Sequence, residues 1–163
     1  MELTTLCYLE EDGKYLMMHR IKKKEDINQG KWIGVGGHFE FQESPEECIC
    51  REVLEETGLH LLDYQYRGLV TFVYNDHDAE YMSLFTATKW RGSLTDCEEG
   101  VLEWIPKDEI EKLNLWAGDR IFLKLLAHRN SFFSLKLVYQ DDDLTGAWLD
   151  GEKLVMRDGM YEV

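Results

Sequence analysis

Three carboxylates, Glu52, Glu55 and Glu56, fall at i, i+3 and i+4 in a segment whose apolar residues Ile49, Cys50, Val53 and Leu54 recur at i, i+1, i+4 and i+5. On a helix this spacing gathers the acids on one face and the apolar residues on another, which can turn to a core. Like charges so placed cost a helix about 0.2 to 0.5 kcal/mol per pair, so helix stability does not explain them. A bound hard cation does. Magnesium takes carboxylate oxygens as ligands and fills its remaining positions with water and substrate phosphate oxygens. The competing reading is a solvated acidic face on which Arg51 pairs at i, i+4 with Glu47 and Glu55.

The elements around these acids can be read from the same residues. Ser44-Pro45-Glu46-Glu47 has the form of a helix start, with Ser44 as N-cap, Pro45 at the first helical position and Glu47 as capping-box partner. The spacing predicts a helix over 45–57, ended by Gly58 as a left-handed C′ residue. Upstream lies the run Gly34-Val35-Gly36-Gly37, where glycines so dense imply unusual backbone angles or close approach to the main chain. Segments 3–9 and 14–19 flank Glu11-Asp12-Gly13 as a hairpin. Strands are expected at 68–74 and 80–89, joined through Asn75-Asp76-His77-Asp78, and at 103–105, stopped by Pro106. Segments 107–113 and 119–128 have helical spacing, the second carrying Ile121, Leu125 and either Phe122 or Leu126 toward a core. A last hairpin runs over 133–139 and 146–149 through Asp141-Asp142-Asp143. Strands and helices mixed in this order suggest an α/β sandwich in one domain over 1–163, with a strand order that periodicity does not reveal.

Composition narrows the partners. Lys plus Arg number 18 and Asp plus Glu 32, a net charge of −14. A surface this acidic repels nucleic acid and anionic membranes, and an anionic small substrate needs a local basic patch or a bound cation to approach. No apolar run reaches the length of a membrane span and no leader pattern opens the chain, so a soluble, cytoplasmic protein is expected. Cys7, Cys48, Cys50 and Cys97 lack paired metal or redox spacing and read as free thiols. The basic stretch Lys22-Lys23-Lys24 either steers phosphates or is a solvated loop, and the loop is the expectation.

Residues 37–59 read GHFEFQESPEECICREVLEETGL. This resembles the Nudix box: Gly, five residues, Glu, seven residues, then Arg-Glu, an apolar residue, any residue, Glu-Glu, any residue, Gly and an apolar residue. Gly37, Glu43, Arg51, Glu52, Val53, Glu55, Glu56, Gly58 and Leu59 meet every fixed position. The resemblance implies a Nudix fold, an α/β/α sandwich with a mixed sheet and a loop-helix-loop metal site, hydrolysing a nucleoside diphosphate linked to another group. It implies that Glu52, Glu55 and Glu56 hold magnesium, with manganese a possible substitute, that the Gly37 carbonyl can add a ligand, and that Arg51 and Glu43 brace the loop against the helix. Glu40 is a further candidate ligand or a solvated loop acid. Such a site uses cations to neutralise phosphates and acidify the attacking water, and a glutamate to accept the proton. Glu55, Glu56 and Glu99 are the candidates for that base. Glu99 also matches a late metal-approaching carboxylate, with Glu98 its competitor, and Arg20 resembles a phosphate-contacting residue.

Outside the box the chain is similar to MutT-type oxidised-purine nucleoside triphosphatases at Gly30-Lys31-Trp32-Ile33-Gly34-Val35-Gly36-Gly37 and at Leu115-Trp116-Ala117-Gly118-Asp119. The resemblance implies a purine sandwiched by aromatic residues and read at its edge. Trp116, Phe72 and Tyr74 are the candidates for the wall and Asp119 for the edge. Phe72 and Tyr74, two apart on a strand, share a face. Ile33 stands where the vertebrate enzyme of this type has a base-binding asparagine, and Gly118-Asp119 where it has two aspartates. The expected activity is magnesium-dependent conversion of a nucleoside triphosphate such as 8-oxo-dGTP to the monophosphate and pyrophosphate, in nucleotide-pool sanitation. The alternatives are hydrolysis of ADP-ribose or another nucleoside diphosphate derivative, and nucleotide sensing without cleavage. A small-molecule nucleotide is the expected partner, and neither nucleic acid nor membrane is.

Overall fold

The computed structural model describes residues 1–163. Along the chain run β1 (Glu2–Glu11), β2 (Lys14–His19), β3 (Trp32–Ile33), α1 (Pro45–Thr57), β4 (His60–Tyr74), β5 (Glu80–Arg91), β6 (Val101–Pro106), α2 (Ala117–His128), β7 (Phe133–Gln140) and β8 (Asp143–Leu149). Three two-residue strands follow, β9 (Glu152–Lys153), β10 (Met156–Arg157) and β11 (Met160–Tyr161).

The first hairpin forms, but only at its tip. Asp12 and Gly13 both take positive φ, 51° and 73°, as a tight two-residue turn requires. Glu10 pairs with Tyr15 and Glu11 with Lys14, after which the strands part. β1 joins β5 in parallel from Glu2 opposite Glu80 to Leu9 opposite Ala87, and β2 joins β6 antiparallel. β4 pairs antiparallel with β5 and parallel with β7, so the sheet is mixed.

The edge of β1 that β2 leaves free is taken by the glycine run. Cys7 and Val35 exchange backbone hydrogen bonds of 2.7 and 3.0 Å, the Thr5 N–H donates to the Gly37 carbonyl at 2.8 Å and the Phe39 N–H to that of Leu3 at 3.0 Å. A Cβ on Gly36 would stand 2.0 Å from the Thr5 carbonyl oxygen, and one on Gly34 2.8 Å from that of Cys7. Neither glycine takes a positive φ. Close approach, rather than a left-handed conformation, is what these positions need.

Alternation along β1 separates two cores. Leu6 and Tyr8 pack with Ile121, Phe122, Leu125 and Leu126 of α2, while Cys7 and Leu9 pack with Ile49 and Val53 of α1. The helices therefore lie on opposite faces of the sheet, the α/β/α layering the sequence implied.

α1 has the predicted bounds and caps. The Glu47 N–H donates to Ser44 Oγ and the Ser44 N–H to Glu47 Oε1, both at 3.1 Å, and Gly58 ends the helix at φ 80°. Its buried side differs from the expected stripe: Cys48, Ile49, Val53, Glu56 and Thr57 face inward, Cys50 is half-buried and Leu54 is 38% exposed. The helix is rotated so that Glu56, not Leu54, extends the inward row. β4 begins at His60 rather than at 68, with register shifts near Leu61, Asp63 and Tyr66 that break the alternation by which a strand is recognised. Lys107–Lys112 is a 3-10 helix, and β9, β10 and β11 were not anticipated.

Candidate active site

Rotation of α1 sends Glu52 and Glu56, one helical turn apart, toward a cavity of about 900 Å³ at the sheet, together with Gly36, Gly37 and Glu99. Glu56 is buried and its Oε2 accepts the Gly36 N–H at 3.1 Å. A Cβ on Gly37 would stand 2.5 Å from the Glu52 carboxyl carbon, so that acid lies directly on the loop backbone. The Gly37 carbonyl accepts the Thr5 N–H at 2.8 Å and, more weakly, the Thr5 hydroxyl at 3.4 Å.

Arg51 braces the helix against the loop. Its Nε and Nη2 donate to both oxygens of Glu43, at 2.7 and 2.9 Å, its Nη2 to the His38 carbonyl at 2.9 Å, and its Nη1 to Glu52 at 2.8 Å and Glu55 at 3.2 Å. The Arg51 hydrogen bonds hold the Glu43 carboxyl down at about 2. Glu47 serves the capping box and does not pair with Arg51. Glu55 is largely exposed beside Arg51 and does not line the cavity. Glu40 stands 3.5 Å from Arg51 Nε, exposed, also outside the lining, and Glu98 is outside it too.

Glu99 and Arg20 line the cavity beside Glu56. Arg20 Nη1 donates to Glu99 Oε2 at 2.9 Å and its Nε to Asp26 Oδ2 at 2.6 Å. Lys23 Nζ donates to Glu99 Oε1 at 3.1 Å and Lys22 Nζ to the Cys97 carbonyl at 2.6 Å. Lys22 to Lys24 lie exposed in a loop, as expected, and Lys22 and Lys23 in addition fasten residues 20–31 to the segment bearing Glu99. Burial, followed by the hydrogen bond with Glu99 and the neighbouring charge of Glu99 and Glu52, pushes the Glu56 carboxyl up to about 9, and burial also raises that of Glu52. Burial raises Glu99 as well, but hydrogen bonds from Glu56 and Lys23 and the Arg20 charge outweigh it and leave Glu99 below the ordinary carboxylate range.

Glu52, Glu56 and Glu99 share this part of the lining with Arg20 and Lys23, and a hard cation would relieve the burial and mutual repulsion that raise the carboxyls of Glu52 and Glu56. With Arg51 holding Glu52 and Glu55, and Arg20 holding Glu99, no three ligating side chains converge into a ready-made cage.

Aromatic rings make up another part of the lining. Trp116 meets Tyr74 and Tyr139 edge to face, with ring centroids 6.4 and 5.3 Å apart, and Phe72 lies near-parallel to Tyr139 at 6.4 Å. All four rings line the cavity, and so do Ile33, Asn28 and Asp119. Asp119 is 4% exposed, its carboxylate receives no hydrogen bond from the protein, and burial pushes it up to about 8. Arg20, Phe72, Tyr74, Trp116 and Asp119, chosen from sequence, share one cavity with Glu52, Glu56 and Glu99. Sequence reasoning missed Asp26, Asn28 and Tyr139. Tyr139 reaches the wall because β7 sets it opposite Tyr74, a long-range pairing with no local signal. Asp26, an acid just after a basic run, carried a weak one.

The NUDIX domain model matches residues 3–126. The chain is 32% identical over 124 residues, 73% of its length and 75% of the relative's, to the uncharacterized Nudix hydrolase YvcI of Bacillus subtilis (strain 168). It is 27% identical over 132 residues, 80% of its length and 83% of the relative's, to the oxidized purine nucleoside triphosphate hydrolase of Danio rerio. Its fold superposes on the MutT protein from Bacillus halodurans with a TM-score of 0.84 at 28% identity, covering 93% of this chain and 99% of the other. With Glu52 and Glu56 of the box in the cavity, the family match over 3–126 shows that this chain belongs to the Nudix hydrolases, enzymes acting on phosphoanhydride bonds.

Proposed function

We propose that this chain is a magnesium-dependent pyrophosphohydrolase that converts an oxidised purine nucleoside triphosphate such as 8-oxo-dGTP to the monophosphate and pyrophosphate. The observation that carries the reading is Asp119, a buried carboxyl without a protein partner, set beside Trp116 in the cavity that also holds Glu52, Glu56 and Glu99. Its oxygens open onto the cavity, so a ligand there can supply the hydrogen bonds that the protein does not. A carboxyl near the neutral form can both donate and accept, which suits the alternating donors and acceptors on a purine edge. Trp116, Phe72, Tyr74 and Tyr139 supply the flat apolar wall for the ring.

Glu52, Glu56 and Glu99 would hold the cation, Glu55 would join them from the rim, and the Gly37 carbonyl would add a ligand in exchange for its long hydrogen bond of 3.4 Å from the Thr5 hydroxyl. When bound, a divalent cation would offset phosphate charge and make water a better nucleophile. The chain's own groups do the rest. Arg20 and Lys23 bring positive charge to the phosphate end of an otherwise acidic molecule, Arg51 keeps the glycine loop seated on α1, and Glu56 or Glu99 takes the proton from the attacking water. The name of the Danio rerio relative supports the substrate class.

Incubation with magnesium and a nucleotide panel tests the reading. Release of pyrophosphate and a monophosphate, fastest from 8-oxo-dGTP and abolished by EDTA, is the expected result, with Asp119→Ala raising KM for the purine by about tenfold or more, as loss of a buried polar contact does. Two monophosphates from ADP-ribose, with no pyrophosphate from any triphosphate, would replace this reading with the dinucleotide one.

A further inference from the structure

The base wall and the carboxylate cluster line one cavity, and one chain of hydrogen bonds joins them. Trp116 Nε1 donates to Asn28 Oδ1 at 2.8 Å. The backbone N–H of Asn28 donates to Asp26 Oδ1 at 3.0 Å. The other oxygen of Asp26 accepts Arg20 Nε at 2.6 Å, and Arg20 Nη1 donates to Glu99 at 2.9 Å. Asp26 is the hinge of this series, because each of its carboxylate oxygens serves a different direction.

The loop that carries it is closed on itself. The Gly30 N–H donates to the Arg20 carbonyl at 2.7 Å, the Arg20 N–H to the Lys31 carbonyl at 2.9 Å, and the Lys31 N–H to the Asn28 carbonyl at 2.8 Å. The Asp26 and Arg20 side chains are 8% and 13% exposed, so their pair is shielded from water, unlike the surface pairs that contribute little. An arginine held at Nε by a carboxylate presents its remaining N–H groups in a fixed plane. Without Asp26 the Arg20 guanidinium could rotate, and the Glu99 carboxylate would lose its partner at Oε2 and be held only at Oε1 by the more exposed Lys23.

We infer that Asp26 is a positioning residue of the hydrolytic site, which sets Glu99 through Arg20 and ties that geometry through Asn28 to the Trp116 wall. This rests on the triphosphatase reading above and names a part of its machinery outside the box. Asp26 touches no reacting atom. Its effect passes through Glu99.

The test is a double-mutant cycle on hydrolysis of a purine nucleoside triphosphate in excess magnesium, each variant normalised to its folded fraction. Asp26→Asn keeps the size of the side chain and an acceptor for the Asn28 N–H while removing the charge that holds Arg20. It should lower kcat about tenfold or more with KM changed less than about threefold, as a misplaced catalytic group does. In a Glu99→Gln background the same change should have almost no further effect, because residues acting as one unit are not additive. If Asp26→Asn unfolds, Asp26→Glu, which retains the charge but displaces it by one methylene, makes the same comparison with a smaller loss. An undiminished kcat, or an equal proportional loss with and without Glu99, overturns the inference while leaving the triphosphatase reading standing. A wild-type protein that hydrolyses no triphosphate overturns both.

Discussion

Glu56 combines three properties in one side chain: it is buried, it accepts a backbone N–H from the glycine run, and it faces two other carboxylates. In the metal-free protein its pKa is raised from 4.5 to about 9, and that of Asp119 from 3.8 to about 8. The folded state therefore holds protons that the unfolded chain releases. The stabilisation from these groups is complete below pH 4 and is lost as pH rises toward 8 to 9. Glu43, lowered to about 2, acts in the opposite sense: it stabilises above its ordinary range and loses that contribution only as the solution becomes strongly acidic. In EDTA, melting temperature should fall between pH 6 and pH 9, and magnesium should reduce the fall. Glu56→Gln should flatten the slope and lower kcat by about 10²-fold or more, as loss of an acid-base or ligand group does. A slope unchanged by Glu56→Gln, or full turnover, would remove Glu56 from its assigned place. At this scale the sequence was informative where spacing is local. Glu52 and Glu56 meet because they are four apart on a helix, whereas Asp26, Asn28 and Tyr139 join the site through contacts across the fold that no local pattern announces.

Among the elements, α1 and the glycine run act as one unit. The run is bonded to β1 on one side and receives the carboxylates of α1 on the other, so the acids inherit their position from the sheet. Capping residues set the helix ends from sequence alone, since Ser44, Glu47 and Gly58 interact with their near neighbours. The face that α1 buries was less legible, because a polar residue that turns inward to a site is indistinguishable from an exposed one until the site is built. Gly36 gives the sharpest test of this coupling. An alanine there would drive its Cβ to 2.0 Å from the Thr5 carbonyl oxygen, which is backbone and cannot turn aside. Gly36→Ala should destabilise by about 1 to 3 kcal/mol, the usual range for overpacking, by forcing the run off β1. Activity per folded molecule should fall as well, because the N–H that Glu56 accepts moves with the run. Denaturant unfolding with parallel turnover checks both, and loss of stability with full specific activity would show that the run does not position Glu56.

Across the whole molecule, the layering was readable but the strand order was not. The unbroken run of apolar and β-branched residues from Leu3 to Leu9 signals two covered faces, whereas the parallel pairings of β1 with β5 and of β4 with β7 join segments far apart in sequence and depend on the global path of the chain. Charge is the other global property. A net −14 repels a polyphosphate approaching from solution, while Arg20 and Lys23 offer positive charge only within the cavity, where both are already engaged with Glu99. Long-range repulsion and short-range attraction respond differently to salt. The Debye length shrinks from about 30 Å at 0.01 M to about 8 Å at 0.15 M, so added salt screens the distant acids before it weakens contacts inside the cavity. If encounter with substrate limits kcat/KM, that parameter should rise over this range at saturating magnesium, with kcat unchanged, the reverse of what a basic enzyme shows toward an anionic substrate. Turnover measured against inert salt at fixed free magnesium decides the point. A kcat/KM that falls steadily from the lowest salt would mean that the local field of Arg20 and Lys23 governs capture, and that the acidic exterior is too remote from the cavity mouth to be felt there.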